Sequence, residues 1–212
     1  MILVGLTGGI GSGKSVVSSQ LASHGAVIVD ADAIVRDLQR PGEETLRRMV
    51  ARFGSEILGD SGHLDRARLA EMVFGDQKAL SDLNAIIHPA VAREMTRRID
   101  AHRESESVVV LDVPLLVENP RKGLCGVLVV DLDPDVAVER LVKQRGFREE
   151  DARARIARQV SRRERRAAAD WIIDNSGSRL DLARQVSQAW EWMRSLPQAP
   201  PDGGLPVVSR DS

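Results

Sequence analysis

A chain of 212 residues, 42% of them hydrophobic, is long enough to bury one sizeable apolar core with at most inserted subdomains. Its 30 basic and 31 acidic residues leave a formal charge of -1, which argues against a protein built mainly to coat nucleic acid or a membrane. Cys125 is the only cysteine, so an intramolecular disulfide and an all-cysteine metal site are both excluded, and a reducing cytoplasm is the expected setting.

The first element is the apolar run "ILVGL" at 2–6, read as a strand, followed at once by "TGGIGSGKSVV". Residues 8–15, "GGIGSGKS", satisfy G-x-x-x-x-G-K-[ST], and a helix is expected over 14–23. Strand, glycine loop and helix in this order form a phosphate cradle. Backbone N–H groups turn inward, and the helix adds the positive end of its dipole. Lys14 is then expected on the β- and γ-phosphates of a nucleoside triphosphate and the Ser15 hydroxyl on Mg²⁺. The cradle comprises Gly8, Gly9, Ile10, Gly11, Ser12, Gly13, Lys14, Ser15 and Val16.

A second strand, "AVIVD" at 26–30, ends in the acidic cluster of Asp30 and Asp32. About 75 residues pass before the third strand, far more than one crossover helix needs, so a helical insert is expected there. Its apolar residues Leu69, Met72 and Val73, then Leu80, Leu83, Ile86 and Ile87, recur at helical spacing. His88 and Pro89 read as a helix entry, since proline suits a first-turn position. The strands "SVVVLD" (107–112) and "GVLVVDL" (126–132) follow, then an arginine-rich insert over 136–168, and finally "DWIID" (170–174). Arg155, Arg158, Arg162 and Arg165 lie three or four apart, which predicts one helix face. Continuous apolar strands separated by helices give an α/β class with a buried parallel sheet. The longest apolar run, "VVVLDVPLLV", is too short to span a membrane and carries an aspartate, so a soluble protein is expected.

The remaining features favour a small-molecule kinase over a switch or motor. A guanine-reading N-K-x-D is absent, Asp112 is followed by valine where a water-activating glutamate would serve a hydrolase, and two inserts are placed to meet an acceptor and to close over a nucleotide. Blocks beyond the loop carry a more specific likeness: "VDADAIVRDL" (29–38), "LDRARLAEMVF" (64–74), "LNAIIHPAV" (83–91), "DVPLLVE" (112–118) and "RRERRAAADWIIDNSG" (162–177). With "GLTGGIGSGKS" they resemble the dephospho-CoA kinase family over about residues 2–196.

The resemblance implies a P-loop fold with a five-stranded parallel sheet, and transfer of a phosphoryl group from ATP, with Mg²⁺, to the ribose 3′-hydroxyl of dephospho-CoA. This is the last step of coenzyme A biosynthesis. It implies a core of residues 1–34, 105–135 and 168–196, a helical acceptor insert at 35–104 and a lid at 136–167. Asp32 would orient and deprotonate the acceptor hydroxyl, with Lys14 and Arg140 on the transferring phosphates and Arg145 beside them. Asp30 and Asp32 could instead cap the following helix. Asp112 either supports the acceptor and metal or ties down the loop after its strand. His88 would line the acceptor side or be structural. Asn175 would lie beside the adenine or be a turn residue. The substrates are the expected partners, without nucleic acid or membrane. The Pro/Gly-rich segment from 197 onward is expected to be disordered.

Overall fold

The structure, a computed structural model, describes residues 1–198, so the tail expected from 197 lies almost wholly outside the described residues. The five apolar runs form β1 (Ile2–Gly8), β2 (Val27–Asp30), β3 (Val108–Asp112), β4 (Gly126–Asp131) and β5 (Trp171–Asp174). Their order across the sheet is β2-β3-β1-β4-β5. In the parallel pairings Leu6 faces Asp112, Gly8 faces Val130 and Asp131 faces Asp174, which brings the C-terminal strand ends to one edge. Nine helices join them among the described residues: α1 (Lys14–Ser23), α2 (Ala31–Leu38), α3 (Glu44–Phe53), α4 (Arg66–Val73), α5 (Gln77–Asp100), α6 (Pro134–Arg145), α7 (Glu149–Ala157), α8 (Arg162–Ala167) and α9 (Arg179–Ser195). None is long and apolar enough to cross a membrane.

The described residues divide into two compact units, one made of Met1–Val29 with the described residues from His102 onward and the other of Asp30–Ala101. In the first, Ile2, Val4 and Leu6 alternate toward one face, where Val17 and Leu21 of α1 and Val186 and Met193 of α9 cover them. Leu3, Val109, Leu111 and Val129 are buried as well, so both faces are apolar and the strands read as unbroken hydrophobic runs. The loop after β3 rests on β1 at Gly5, where a β-carbon would lie 2.9 Å from Leu124 Cδ1 and run into Leu116.

In the second unit Met49, Phe53, Ile57, Leu69, Leu83 and Ile86 form the core. Met72 and Leu80, expected on the apolar face, are 37% and 40% exposed. Pro89 does not open a helix but sits inside the 24-residue α5, which is capped by the Asp76 side chain on the Ala79 N–H. Its missing N–H frees the Ala85 carbonyl, yet both residues are exposed and water can take that bond, while buried Ile86 and Ala90 hold the helix on either side. Glu94 accepts from Arg97 and Arg98, and Arg98 also donates to Asp37 at 2.9 Å. These hydrogen bonds hold the Glu94 carboxyl down at about 2.

The arginine-rich run is not one helix face. α7 stops at Ala157 and α8 begins at Arg162, because Ser161 caps the Glu164 N–H while Glu164 returns to the Ser161 N–H. This S-x-x-E capping box starts a separate helix. Arg155 therefore stays on α7, over the Phe147 ring at 5.1 Å, while Arg162 and Arg165 belong to α8.

Two stability predictions follow from these contacts. Leu128→Ala, which empties a fully buried position of β4, should cost about 2–5 kcal/mol and lower the calorimetric Tm by on the order of 10 °C, whereas Leu180→Ala, 83% exposed, should leave it nearly unchanged. The Glu94 value is depressed from 4.5 to about 2, so its contribution is complete above pH 4.5 and is lost as the pH falls toward 2. The parent's melting temperature should accordingly drop more steeply over that range than that of Glu94→Gln.

Candidate active site

The edge where the strands end is built around the glycine loop. β1 stops at Gly8 and α1 starts at Lys14, with the Ser12 N–H donating to Gly9 O at 3.0 Å to turn the chain between them. Gly13 caps α1 in the left-handed region, at φ 87°, and any side chain there would run into the Asn175 amide. Glycine is thus required at that position twice, by conformation and by space. Lys14 Nζ donates to Asp112 Oδ1 at the end of β3, in an ion pair with the carboxylate buried and the lysine largely so. Ser15 and Val16 are exposed in the first turn of α1, where backbone N–H groups and the helix dipole favour an anion.

Asn175, just past β5, braces this loop from behind. Its Nδ2 donates to Ser12 O at 2.7 Å, and its own carbonyl accepts from Arg140 Nη2, also at 2.7 Å. An asparagine read as a possible adenine neighbour or turn residue therefore ties α6 and the cradle together. Arg145, in the last turn of α6, is exposed.

The arginine-rich segment is fastened to the same edge by acceptors that the sequence did not single out. Asp131, 2% exposed at the end of β4, accepts from Arg162 Nη2 at 2.9 Å and from Arg166 Nη1 at 2.5 Å, while Arg162 also reaches Asp133 at 2.9 Å. Burial would raise the Asp131 carboxyl, but the two guanidinium groups override it and hold it below its ordinary range. Gln159 Oε1 accepts the Ile10 N–H of the cradle at 2.9 Å, and Glu118 Oε1 accepts the Val160 N–H at 3.1 Å. Between cradle, α6 and lid lies a cavity of about 360 Å³ lined by Ile10, Ser12, Ala137 and Arg165 among others. The Ser12 hydroxyl is buried without a hydrogen-bond partner among the described residues.

The other expected residues fall in the second unit. Asp30 caps α2 by accepting the Ala33 N–H at 3.0 Å, whereas Asp32 stands exposed in the first turn of that helix. His88 is exposed in the middle of α5. Among the described residues no group of three or more His, Cys, Asp or Glu gathers to hold a metal.

Comparison with known proteins agrees with this edge. A family model described as dephospho-CoA kinase matches residues 2–181. The dephospho-CoA kinase of Thermobifida fusca is 51% identical over 90% of this chain and 96% of its own length, and that of Streptomyces avermitilis is 46% identical over 90% and 93%. The crystal structure of TT1252 from Thermus thermophilus superposes with a TM-score of 0.73 at 34% identity, covering 89% of this chain and 95% of that one. With a phosphate cradle at the strand ends and a family match along most of its length, this chain belongs to the dephospho-CoA kinase family.

Proposed function

We propose that this chain moves the γ-phosphoryl group of ATP to the ribose 3′-hydroxyl of dephospho-CoA, with Lys14 and Arg140 on the phosphates and Asp32 on the acceptor hydroxyl. The kinase activity and its place at the end of coenzyme A biosynthesis come with the family, and the residue roles are our reading. The observation that carries it is the Lys14–Asp112 pair at the mouth of a complete glycine cradle. A carboxylate behind the ammonium keeps that cation at the loop, aimed where charge develops on the β- and γ-oxygens.

Magnesium suits the donors here, because it is commonly held by one or two protein oxygens and the substrate phosphates, and no all-protein cage is present among the described residues. Ser15 would hold it, with Asp112 in support. When bound it supplies charge neutralisation on the phosphate oxygens. Arg140, steadied by the Asn175 carbonyl, can keep its remaining donors for the nucleotide. Asp30 and Asp32 divide their work by position: Asp30 is engaged in capping, while Asp32 is exposed and can accept the proton of an acceptor hydroxyl. A carboxylate is a weak base. It suffices because phosphoryl transfer depends on orientation more than on early deprotonation.

An ADP-release assay across dephospho-CoA, nucleoside monophosphates and small sugars tests the acceptor, and a preference for any other acceptor overturns the reading. Asp32→Asn should lower kcat by about 10² to 10⁴ with ATP affinity near that of the parent. Asp30→Asn should cost much less kcat, and the opposite ranking in steady-state kinetics would move the chemistry off Asp32. Lys14→Ala should cut kcat by about 10² to 10³ or more. It should also lower Tm, because the buried Asp112 carboxylate loses a cation; full turnover in this variant would remove Lys14 from the phosphates.

A further inference from the structure

The lid brings three arginines of α8 to the strand-end edge, and they are not equivalent. Arg162 is spent on two carboxylates, Asp131 and Asp133, and Arg166 on Asp131. Among the described residues Arg165 forms no ion pair with a carboxylate; its Nη2 donates to the Val160 carbonyl at 2.8 Å. Its guanidinium lies against the cradle itself. A β-carbon built on Gly9 would sit 3.1 Å from Arg165 Nη1 and 3.5 Å from Cζ, so the missing side chain is what lets the cation approach the loop. Arg165 also lines the cavity beside the cradle.

We propose that Arg165 is the arginine of α8 that engages the nucleotide's phosphate chain, and that Asp131 is a positioning residue that holds α8 on the edge by binding Arg162 and Arg166. This rests on the cradle being the ATP site, as argued above. The physical case is one of compensation. A guanidinium withdrawn from water without a carboxylate is unfavourable, and burial pushes the Arg165 pKa down, with only longer-range attraction from Glu118 and Asp131 against it. An anionic phosphate chain in the cradle restores that balance and receives forked N–H donors in return. Arg162 and Arg166 gain less from the same phosphates because each would have to leave a buried carboxylate. Gln159 and Glu118 fix the approach, since one takes the Ile10 N–H of the cradle and the other the Val160 N–H at the start of the lid's last helix. Five residues separate the Gln159 anchor on Ile10 from the guanidinium that meets Gly9 by way of α8.

The test compares variants of the full chain by ATP titration and by steady-state turnover of dephospho-CoA. Arg165→Ala should lower kcat at least 100-fold, within or below the range reported for arginines that stabilise phosphoryl transfer, and weaken ATP binding; Arg165→Lys should recover part of both. Arg162→Ala and Arg166→Ala should each cost at least tenfold less kcat than Arg165→Ala, and the exposed Arg163→Ala should match the parent. Asp131→Asn keeps the shape of the anchor without its charge. It should raise the KM for ATP several-fold with kcat falling less than tenfold, whereas a purely structural aspartate would lower Tm and leave both constants alone. Equal losses for the three arginines, or parent-like ATP affinity and kcat in Arg165→Ala, would overturn the assignment. A parent that binds ATP normally but ignores dephospho-CoA would instead sink the acceptor reading, and the ATP titrations would still decide about Arg165.

Discussion

The ion pair between Lys14 and Asp112 is the constraint around which the rest of the edge is arranged. An ammonium and a carboxylate that far from water are costly to bring together, and such pairs contribute little net stability even when well made. What the pair supplies is position. Lys14 is the first residue of α1 and Asp112 the last of β3, so the pair fixes the end of one helix against the end of a strand adjacent to β1. Thr7 adds a second tie, donating its hydroxyl to the Pro114 carbonyl at 3.0 Å, and the loop after β3 is thereby held beside the cradle.

Every strand other than β1 ends in an aspartate, and each carboxylate has a different task. Asp30 caps α2, Asp112 receives Lys14, Asp131 gathers Arg162 and Arg166, and Asp174 accepts the Ser176 N–H at 2.9 Å in the turn that leads to Asn175. Strand ends need such groups. The ladder stops there, and whatever follows must be started by a side chain that can take N–H donors or cations. β1 ends instead in glycines, and it is the strand whose continuation presents backbone N–H groups. The edge therefore surrounds one anion-receptive loop with carboxylates, two of which, Asp112 and Asp131, hold cations beside it.

Much of this was legible from the sequence where the signal is local. The cradle, the five strands and the helical character of the insert follow from short-range patterns, and all five strands lie within two residues of where periodicity sets them. The errors have local causes too. Pro89 satisfies the rule for a helix start, but the packing of Ile86 and Ala90 outweighs one lost hydrogen bond on a wet face. The arginine run reads as continuous from its spacing alone, although Ser161 and Glu164 carry a capping-box signature. Asp131, Gln159 and Glu118 went unread for another reason. Arg162 is 31 residues from Asp131, Val160 is 42 from Glu118, and Ile10 is 149 from Gln159, so only the folded sheet edge pairs them.

Asn175 illustrates how such a long-range partner changes the meaning of a residue. An asparagine after a strand suits a turn, and an exposed one would be free to meet a base. Here it is buried, its amide is committed to the Ser12 carbonyl, and its own carbonyl steadies Arg140. The same amide fills the space that a side chain on Gly13 would need, so the glycine and the asparagine specify each other across 162 positions of sequence. β5 thus reaches the cradle through one side chain and the lid helix α6 through one carbonyl. A displacement of the glycine loop would be relayed to Arg140 through Asn175, which is hydrogen-bonded to both. The cations that flank the cradle are in this way referenced to its backbone: Lys14 by sequence, Arg140 through Asn175, and Arg165 through the Gln159 bond to Ile10.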